Sequence, residues 1–294
     1  MSPIMPCLWL DANAEEAARF YTTLFADGAI TAISYWHEGM PGQARTVLGV
    51  DFTLGGRPFQ AINGGPMFKP GITISFFVQA PDATEAGRLN DALIDGGMAM
   101  MPLGSYPWSP CYAWVQDRFG VSWQIIVGDG AIADTAIVPC LMFSDGQQGR
   151  AEEAMALYTR IFGGAIGAVE RYAEGEGPVN FVKHGRFTVA GHGMVAMDSH
   201  VAHGAHFTEG LSFSVRCADQ AEVDHLWDAL CNDGGTPSRC GWLKDRFGVS
   251  WQVVPERFVE LHLHGDAAGT ARMFAAMMSM SRLDMAALEQ AYHG

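Results

Sequence analysis

Apolar and polar residues alternate in short runs along most of the chain, and between those runs lie stretches in which apolar residues return every three or four positions. The first pattern predicts half-buried strands and the second amphipathic helices. Residues 4–10 read as a strand. Residues 13–25 read as a helix in which Ala17, Phe20, Tyr21 and Leu24 share one face, Asn13 caps the start, and Glu15 and Glu16 favour its positive end. Strands follow at 30–36, 46–54 and 58–62, the last two joined by a turn at Gly55-Gly56. The order β-α-β-β-β then begins again, with strand 72–78, helix 82–95, a stop at Gly96-Gly97, a weak strand, and closing strands at 112–115 and 121–127.

From residue 137 the whole series repeats. Strand 137–143, helix 151–162 and strands at 166–172, 180–182 with 187–190, and 195–197 precede strand 211–215, helix 219–232 and a closing hairpin at 242–252. The octapeptide from Asp117 to Gln124 returns unchanged as Asp245 to Gln252, and Pro-Cys-Leu stands at both 6–8 and 139–141. A repeat of this kind means duplicated structure. It predicts four β-α-β-β-β units in two domains, residues 1–129 and 134–256, with a short linker at 129–134. Short connections between strands favour an α+β fold over a doubly wound sheet. In each octapeptide, alternation sends Trp123 and Gln124, or Trp251 and Gln252, to opposite faces of a strand. After Pro255 the pattern breaks, and residues 257–294 read as a helical tail with helices at 270–280 and 283–292, Ser281 and Asp284 offering start residues for the second. His262 and His264, two apart, read as surface residues on an extended piece.

Composition narrows the function. At 294 residues, 49% hydrophobic and 17% charged, the chain is long enough for two globular cores. A formal charge of −14 with no basic cluster excludes a nucleic-acid partner. No apolar run reaches the ~20 residues of a membrane span, and the first ten residues lack the basic start and long apolar core of a signal peptide, so a cytoplasmic protein without a membrane partner is expected. Six cysteines without CxxC spacing, mostly inside apolar runs, read as reduced thiols, and Cys7 and Cys140 as small core residues. No glycine-rich phosphate loop joins a strand to a helix.

Several of these motifs together resemble the vicinal oxygen chelate superfamily of glyoxalases, bleomycin-resistance proteins and extradiol dioxygenases, and within it the PhnB-like, demethylubiquinone methyltransferase-like group. The resemblance rests on Pro6-Cys7-Leu8-Trp9 ahead of Ala14-Glu15-Glu16-Ala17 and Phe20-Tyr21, and on Asn63-Gly64-Gly65-Pro66 with Phe68-Lys69 before Ile74-Ser75-Phe76. It rests further on the two octapeptides, Phe207-Thr208-Glu209-Gly210-Leu211-Ser212-Phe213, and Cys240-Gly241-Trp242-Leu243-Lys244, and it spans residues 4 to 256. It implies two glyoxalase-like domains, each of paired β-α-β-β-β units in a curved mixed sheet with ligand or metal on the concave face, and a helical tail. It also implies an intramolecular pseudo-dimer in place of a homodimer of single-domain relatives, with further homodimerisation open.

The chain departs from the metalloenzymes of that superfamily. Gln124 and Gln252 stand where a carboxylate is common in the closing strand, no His occurs in the first strand of either half, and Met67 follows Asn-Gly-Gly-Pro where the group tends to have His. No metal and no cofactor is therefore expected, an amide being a poor zinc ligand. The candidate ligand-binding residues are Gln124, Phe68, Trp114 and Trp36 in the first half and Gln252, Trp242 and His206 in the second. For each, a structural role stands as the alternative: an amide tying backbone, an aromatic in the core, a histidine on an exposed loop. His203 and His206 are the one alternative metal pair, Gly204 letting the loop bend between them. The expected function is metal-free small-molecule binding. The alternative is a superfamily enzyme, either a metal-dependent lyase, isomerase or oxygenase or one working through a polar pocket on a hydroxylated or quinone-like substrate. A methyltransferase is disfavoured because no loop suited to S-adenosylmethionine is present, and no catalytic residue is identified.

Overall fold

The computed structural model describes residues 4–128 and 137–294, so the expected linker lies outside the described residues. The first unit is β1 (Ile4–Leu10), α1 (Ala14–Leu24), β2 (Ala29–Tyr35), β3 (Val47–Leu54) and β4 (Arg57–Asn63). The second is β5 (Ile74–Gln79), α2 (Ala83–Ile94), β6 (Met98–Tyr106), β7 (Ser109–Gln116) and β8 (Ser122–Val127). The third is β9 (Ile137–Phe143), α3 (Ala151–Phe162), β10 (Ile166–Arg171), β11 (Val182–Val189) and β12 (His192–Asp198). The fourth is β13 (Leu211–Cys217), α4 (Gln220–Cys231), β14 (Thr236–Pro237), β15 (Trp242–Lys244) and β16 (Ser250–Pro255). The tail folds into three helices where two were expected: α5 (Glu256–His264), α6 (Ala267–Met277) and α7 (Met285–His293). Among the described residues no helix is long and apolar enough to cross a membrane.

The fold is α+β with two glyoxalase-like sheets, and the pairing of units crosses the sequence halves. One eight-stranded sheet runs β14-β15-β16-β13-β1-β4-β3-β2 and the other β10-β11-β12-β9-β5-β8-β7-β6. Each sheet therefore takes one unit from either half. The seam of the first is β1 against β13, antiparallel from Ile4↔Val215 to Leu8↔Leu211; that of the second is β5 against β9, from Ile74↔Leu141 to Val78↔Ile137. Segments 1–129 and 134–256 thus do not each close a sheet of their own, because the first strands of the four units find their antiparallel partners in the opposite half. Arg57 adds to this exchange: its guanidinium is buried and donates to the carbonyls of Ile137 and Gly193 at 3.2 and 2.6 Å.

Helices α1 to α4 cover one face of the sheets and carry the main core, with Trp123 and Trp251 fully buried in it. The octapeptide organises this core. Asp117 accepts from the backbone N–H groups of Phe119 and Val121 at 2.8 and 3.0 Å, which shapes the turn, and from the Trp123 indole at 2.8 Å and the Tyr21 hydroxyl at 2.7 Å. Asp245 repeats the set with Phe247, Val249, Trp251 and Tyr158. Tyr21 lies on α1 of one sheet and Asp117 before β8 of the other, so the carboxylate ties two units back to back. Burial raises both carboxyls above their ordinary value while the four donors pull each back down.

One expected cap is corrected. Asn13 makes no side-chain bond at the start of α1; the N–H of Ala14 is instead met at 2.9 Å by the side-chain oxygen of Asn63, at the end of β4. A tertiary partner has replaced the local one, since β4 ends beside the helix start.

Replacing Asp117 or Asp245 by Ala leaves four buried donors without an acceptor, and the expected loss is about 3–4 kcal/mol of folding stability in urea titrations. The Asn substitution, which keeps one carbonyl oxygen, is expected to lose less. Equal losses for Ala and Asn would show that the carboxylate geometry is not what holds the turn.

Candidate functional site

The alternation that buries Trp123 and Trp251 points Gln124 and Gln252 at the opposite faces, where the curvature of each sheet leaves a hollow. The two amides occupy equivalent places. Trp114 lies across from Gln124 and Trp242 across from Gln252, and the amide nitrogens donate to Ser75 at 2.7 Å and Ser212 at 3.0 Å respectively. Around these matched positions the two hollows differ.

In the second sheet the hollow is filled. The Tyr112 hydroxyl donates to the Gln124 carbonyl oxygen at 2.6 Å, the Trp114 indole donates to Ser122 at 2.7 Å, and Phe77, Val138, Cys140 and Val195 pack into one buried cluster with Tyr112. His184 sits edge-on to Phe77 with ring centroids 5.7 Å apart, and its burial takes the imidazole down to about 4. In the first sheet the corresponding places are small. Phe77, one residue after the Phe76 that faces Trp123, becomes Ser214 after the Phe213 that faces Trp251. Tyr112, two before Trp114, becomes Cys240 two before Trp242. His184, beside the Gly185–Ala196 pair, becomes Gly49 opposite Ile62. A cavity of about 180 Å³ remains, lined by these small residues together with Gln252 and Trp242.

The floor of this cavity is polar and internally paired. Asp51 on β3 accepts from Gln60 at 3.1 Å and forms an ion pair with Arg216 on β13 across the seam of the sheet. Trp242 does not repeat the bond of Trp114, and the Ser250 hydroxyl is left without a partner among the described residues. The roof is the tail. Where 22 residues (95–116) separate α2 from the octapeptide, only 13 (232–244) separate α4 from it, and the shortened hairpin leaves room for α5 and α6. The N–H groups of Cys240 and Gly241 donate at 2.8 Å to the carbonyls of Met280 and Ser281, and Phe258, His262, Phe274 and Met277 line the cavity on the side of the tail.

His262 was expected at the surface; it is buried, with 8% of its area exposed. The segment is helical, so residues two apart face different ways, and His264 takes the exposed side. Neither ring nitrogen of His262 has a partner among the described residues. Burial and the neighbouring His37, whose ring centroid lies 6.0 Å away, take the imidazole down to about 4.

The remaining expected residues fall in different places. Gln252 and Trp242 line the cavity. Gln124 and Trp114 lie in the filled hollow with their polar atoms bonded to protein. Phe68 stands edge-on to Trp9, which packs on Trp242, so it backs the cavity wall. Trp36 packs against Phe274 in the small core that seats the tail. His206 borders a separate cavity of about 190 Å³ near Asp145 and Phe247. His203 lies 2.8 Å from the Ser199 hydroxyl, His200 packs on Tyr172, and Asp145 holds the loop by accepting from the N–H groups of His203, Gly204 and Ala205. Among the described residues no three His, Cys, Asp or Glu side chains converge as a metal site. The cavity's own donors do not suit zinc either: Asp51 is committed to Arg216 and Gln60, burial raises the Cys240 thiol and pushes that of Cys7 up to about 12, away from the thiolate a metal requires, and His262 is a lone imidazole.

The sequence model of one family, described as 3-demethylubiquinone-9 3-methyltransferase, matches residues 2–126 and 135–254. Among solved structures, the PhnB protein from Bacillus cereus is 36% identical over 42% of this chain and 98% of its own, with a TM-score of 0.39. A protein from Pseudomonas aeruginosa is 28% identical over 41% of this chain and 93% of its own, with a TM-score of 0.35. Glyoxalase I from Zea mays is 11% identical over 89% of this chain and 98% of its own, with a TM-score of 0.58, a likeness of fold alone. No protein of curated function matches the chain.

The state of His262 has a consequence for acid stability. Its imidazole falls from 6.5 to about 4 in the folded chain, so on acidification the unfolded chain takes up the proton first. Stability is whole above about pH 6.5 and declines as pH falls towards 4, by an amount on the order of 3 kcal/mol. Urea unfolding measured at intervals across that window should give a shallower slope for His262→Leu than for the unaltered chain; parallel slopes would contradict the buried placement.

Proposed function

The chain belongs to the 3-demethylubiquinone-9 3-methyltransferase family and has the vicinal oxygen chelate fold, and from that premise we propose that it is a small-molecule-binding protein whose ligand occupies the hollow of the first sheet. The observation that carries the reading is the contrast between the hollows: equivalent glutamines face Tyr112 and Phe77 in one and open space beside Cys240 and Ser214 in the other. A cavity of about 180 Å³ suits a molecule of one ring, since an apolar cavity of ~150 Å³ accommodates benzene. Its walls are largely apolar and its polar groups gather on the floor, where Asp51, Arg216 and Gln60 pair with one another and leave Gln252 to fix orientation.

The ligand is held without a metal in this reading, the side chains around it offering an amide, a committed carboxylate, protonated thiols and a single imidazole, fewer free ligands than a metal site requires. S-adenosylmethionine does not fit the residues present. It is a nucleoside bearing an amino-acid chain, and the sequence has no glycine-rich strand-to-helix loop to hold it. The family description is therefore not carried over as an activity.

Gln252 is the polar contact on the floor, since an amide both donates and accepts. Titration calorimetry with phenol as probe is expected to show Gln252→Ala losing about 1–3 kcal/mol of binding at little change in stability. Gln124→Ala, which strands Tyr112 and Ser75, is expected to do the reverse. Loss of stability at Gln252 with unchanged phenol affinity would place the site elsewhere.

A further inference from the structure

β6 is the last strand of the second sheet, with β7 along one edge and no further strand among the described residues along the other. Such edges are ordinarily defended by charged side chains. This one is not: from Gly96 to Gln116 no residue is charged, although charged residues make up 17% of the chain. Apolar surface is bare along its whole length. Met98 at its start and Trp108 in the turn beyond its end are 55% and 53% exposed, and Met100 and Leu103 between them 36% and 37%. The indole is held in place all the same, stacked on Tyr106 with ring centroids 5.2 Å apart and edge-on to Tyr112 at 5.6 Å. The matching edge of the first sheet is built in the ordinary way. There β14 has two residues, Asp233 and Arg239 flank it, and the tail lies alongside, bonded to Cys240 and Gly241.

We propose that the β6 arm docks against the β6 arm of a second copy of this chain, the two lying antiparallel about a two-fold axis so that Met98 of each faces Trp108 of the other. A two-fold contact needs a patch that complements itself. A strip with a large apolar side chain at either end and no charge between meets that need once one copy is reversed. Charge favours the same occupant. Two chains of −14 repel each other, so they approach most readily where the surface carries no charge, whereas a basic partner drawn by the net charge finds no carboxylate on the arm to pair with. The contact is made by side chains, not by strand addition. Pro102 has no N–H to give, and the pairing of β6 with β7 shifts register between Ala99 and Met101, between Met101 and Gly104, and between Gly104 and Tyr106, so the free edge offers no continuous ladder. The four bare side chains amount to on the order of 400 Å² of apolar surface, the size of patch that marks an interaction site. Two arms with their intervening backbone would bury roughly 1,000 Å², the lower limit of specific association, so the dimer is a reversible one.

Sedimentation velocity on the full chain over a range of concentrations, in low and in high salt, tests this. A monomer–dimer equilibrium is expected that tightens as salt screens the repulsion between two acidic chains. Met98→Glu and Trp108→Glu should each weaken it about tenfold or more while the thermal midpoint holds, since both side chains are half exposed. Met67→Glu, at a residue 77% exposed outside the arm, should leave it unchanged. If Trp108→Glu disturbs Tyr106 and Tyr112 enough to cost the fold, Met98→Glu decides alone. A chain that stays monomeric at every concentration in both salts overturns the second copy as occupant. A dimer that persists in Met98→Glu and Trp108→Glu, or one that loosens as salt rises, places the contact on another surface and overturns the proposal as well.

Discussion

Two buried carboxylates, Asp117 and Asp245, hold this structure in its particular form. Each accepts from two backbone N–H groups, an indole and a tyrosine hydroxyl, and the tyrosine comes from the opposite sheet. A charge so deeply buried is tolerable only when its lone pairs are met, which demands the turn, the strand register and the helix position at once. The register in turn decides which way every residue of the closing strand points. With the tryptophan fixed to the carboxylate, the following glutamine has to face the hollow.

The same constraint operates in both halves, and the function proposed arises from what differs around it. In the second sheet Tyr112, Phe77 and His184 fill the hollow and Tyr112 satisfies the glutamine, so the residues there serve packing. In the first sheet small residues leave the space open, a shortened hairpin admits the tail, and the tail brings a histidine into contact with the void. Duplication supplied two equivalent frameworks, and only side-chain volume at a few positions separates a core from a cavity. Filling such a space with protein atoms stabilises a fold, whereas keeping it open forgoes about 20 cal/mol per Å² of cavity surface, a sacrifice that the proposed ligand would offset on binding.

Much of the fold was legible in the sequence because its signals are local. The octapeptide repeat, the strand alternation and the helix spacing of Ala17, Tyr21 and Leu24 each concern neighbouring residues, and they led to four units and to the opposed faces of Trp and Gln. The exchange of units between sheets was less accessible, since β1 pairs with a strand more than two hundred residues away. The lining of the cavity was half legible. Gln252 and Trp242 followed from the motif, but Asp51 and Arg216 are 165 residues apart and have no motif to join them. The two-residue spacing of His262 and His264 suggested an extended strand, while the surrounding segment forms a helix because the apolar Phe258 and Leu261 pack against the tail core. One signal was within reach: aligning the two copies sets Tyr112 against Cys240 and Phe77 against Ser214, which identifies the open hollow from side-chain size alone.

The central claim is that the open space beside Gln252 is the ligand site, and Ser214→Phe tests it by restoring the residue that fills the other hollow. Phenol binding measured by calorimetry, alongside the thermal midpoint of the same protein, is expected to fall below detection while the midpoint holds or rises. Unchanged phenol affinity in a folded Ser214→Phe chain would contradict it.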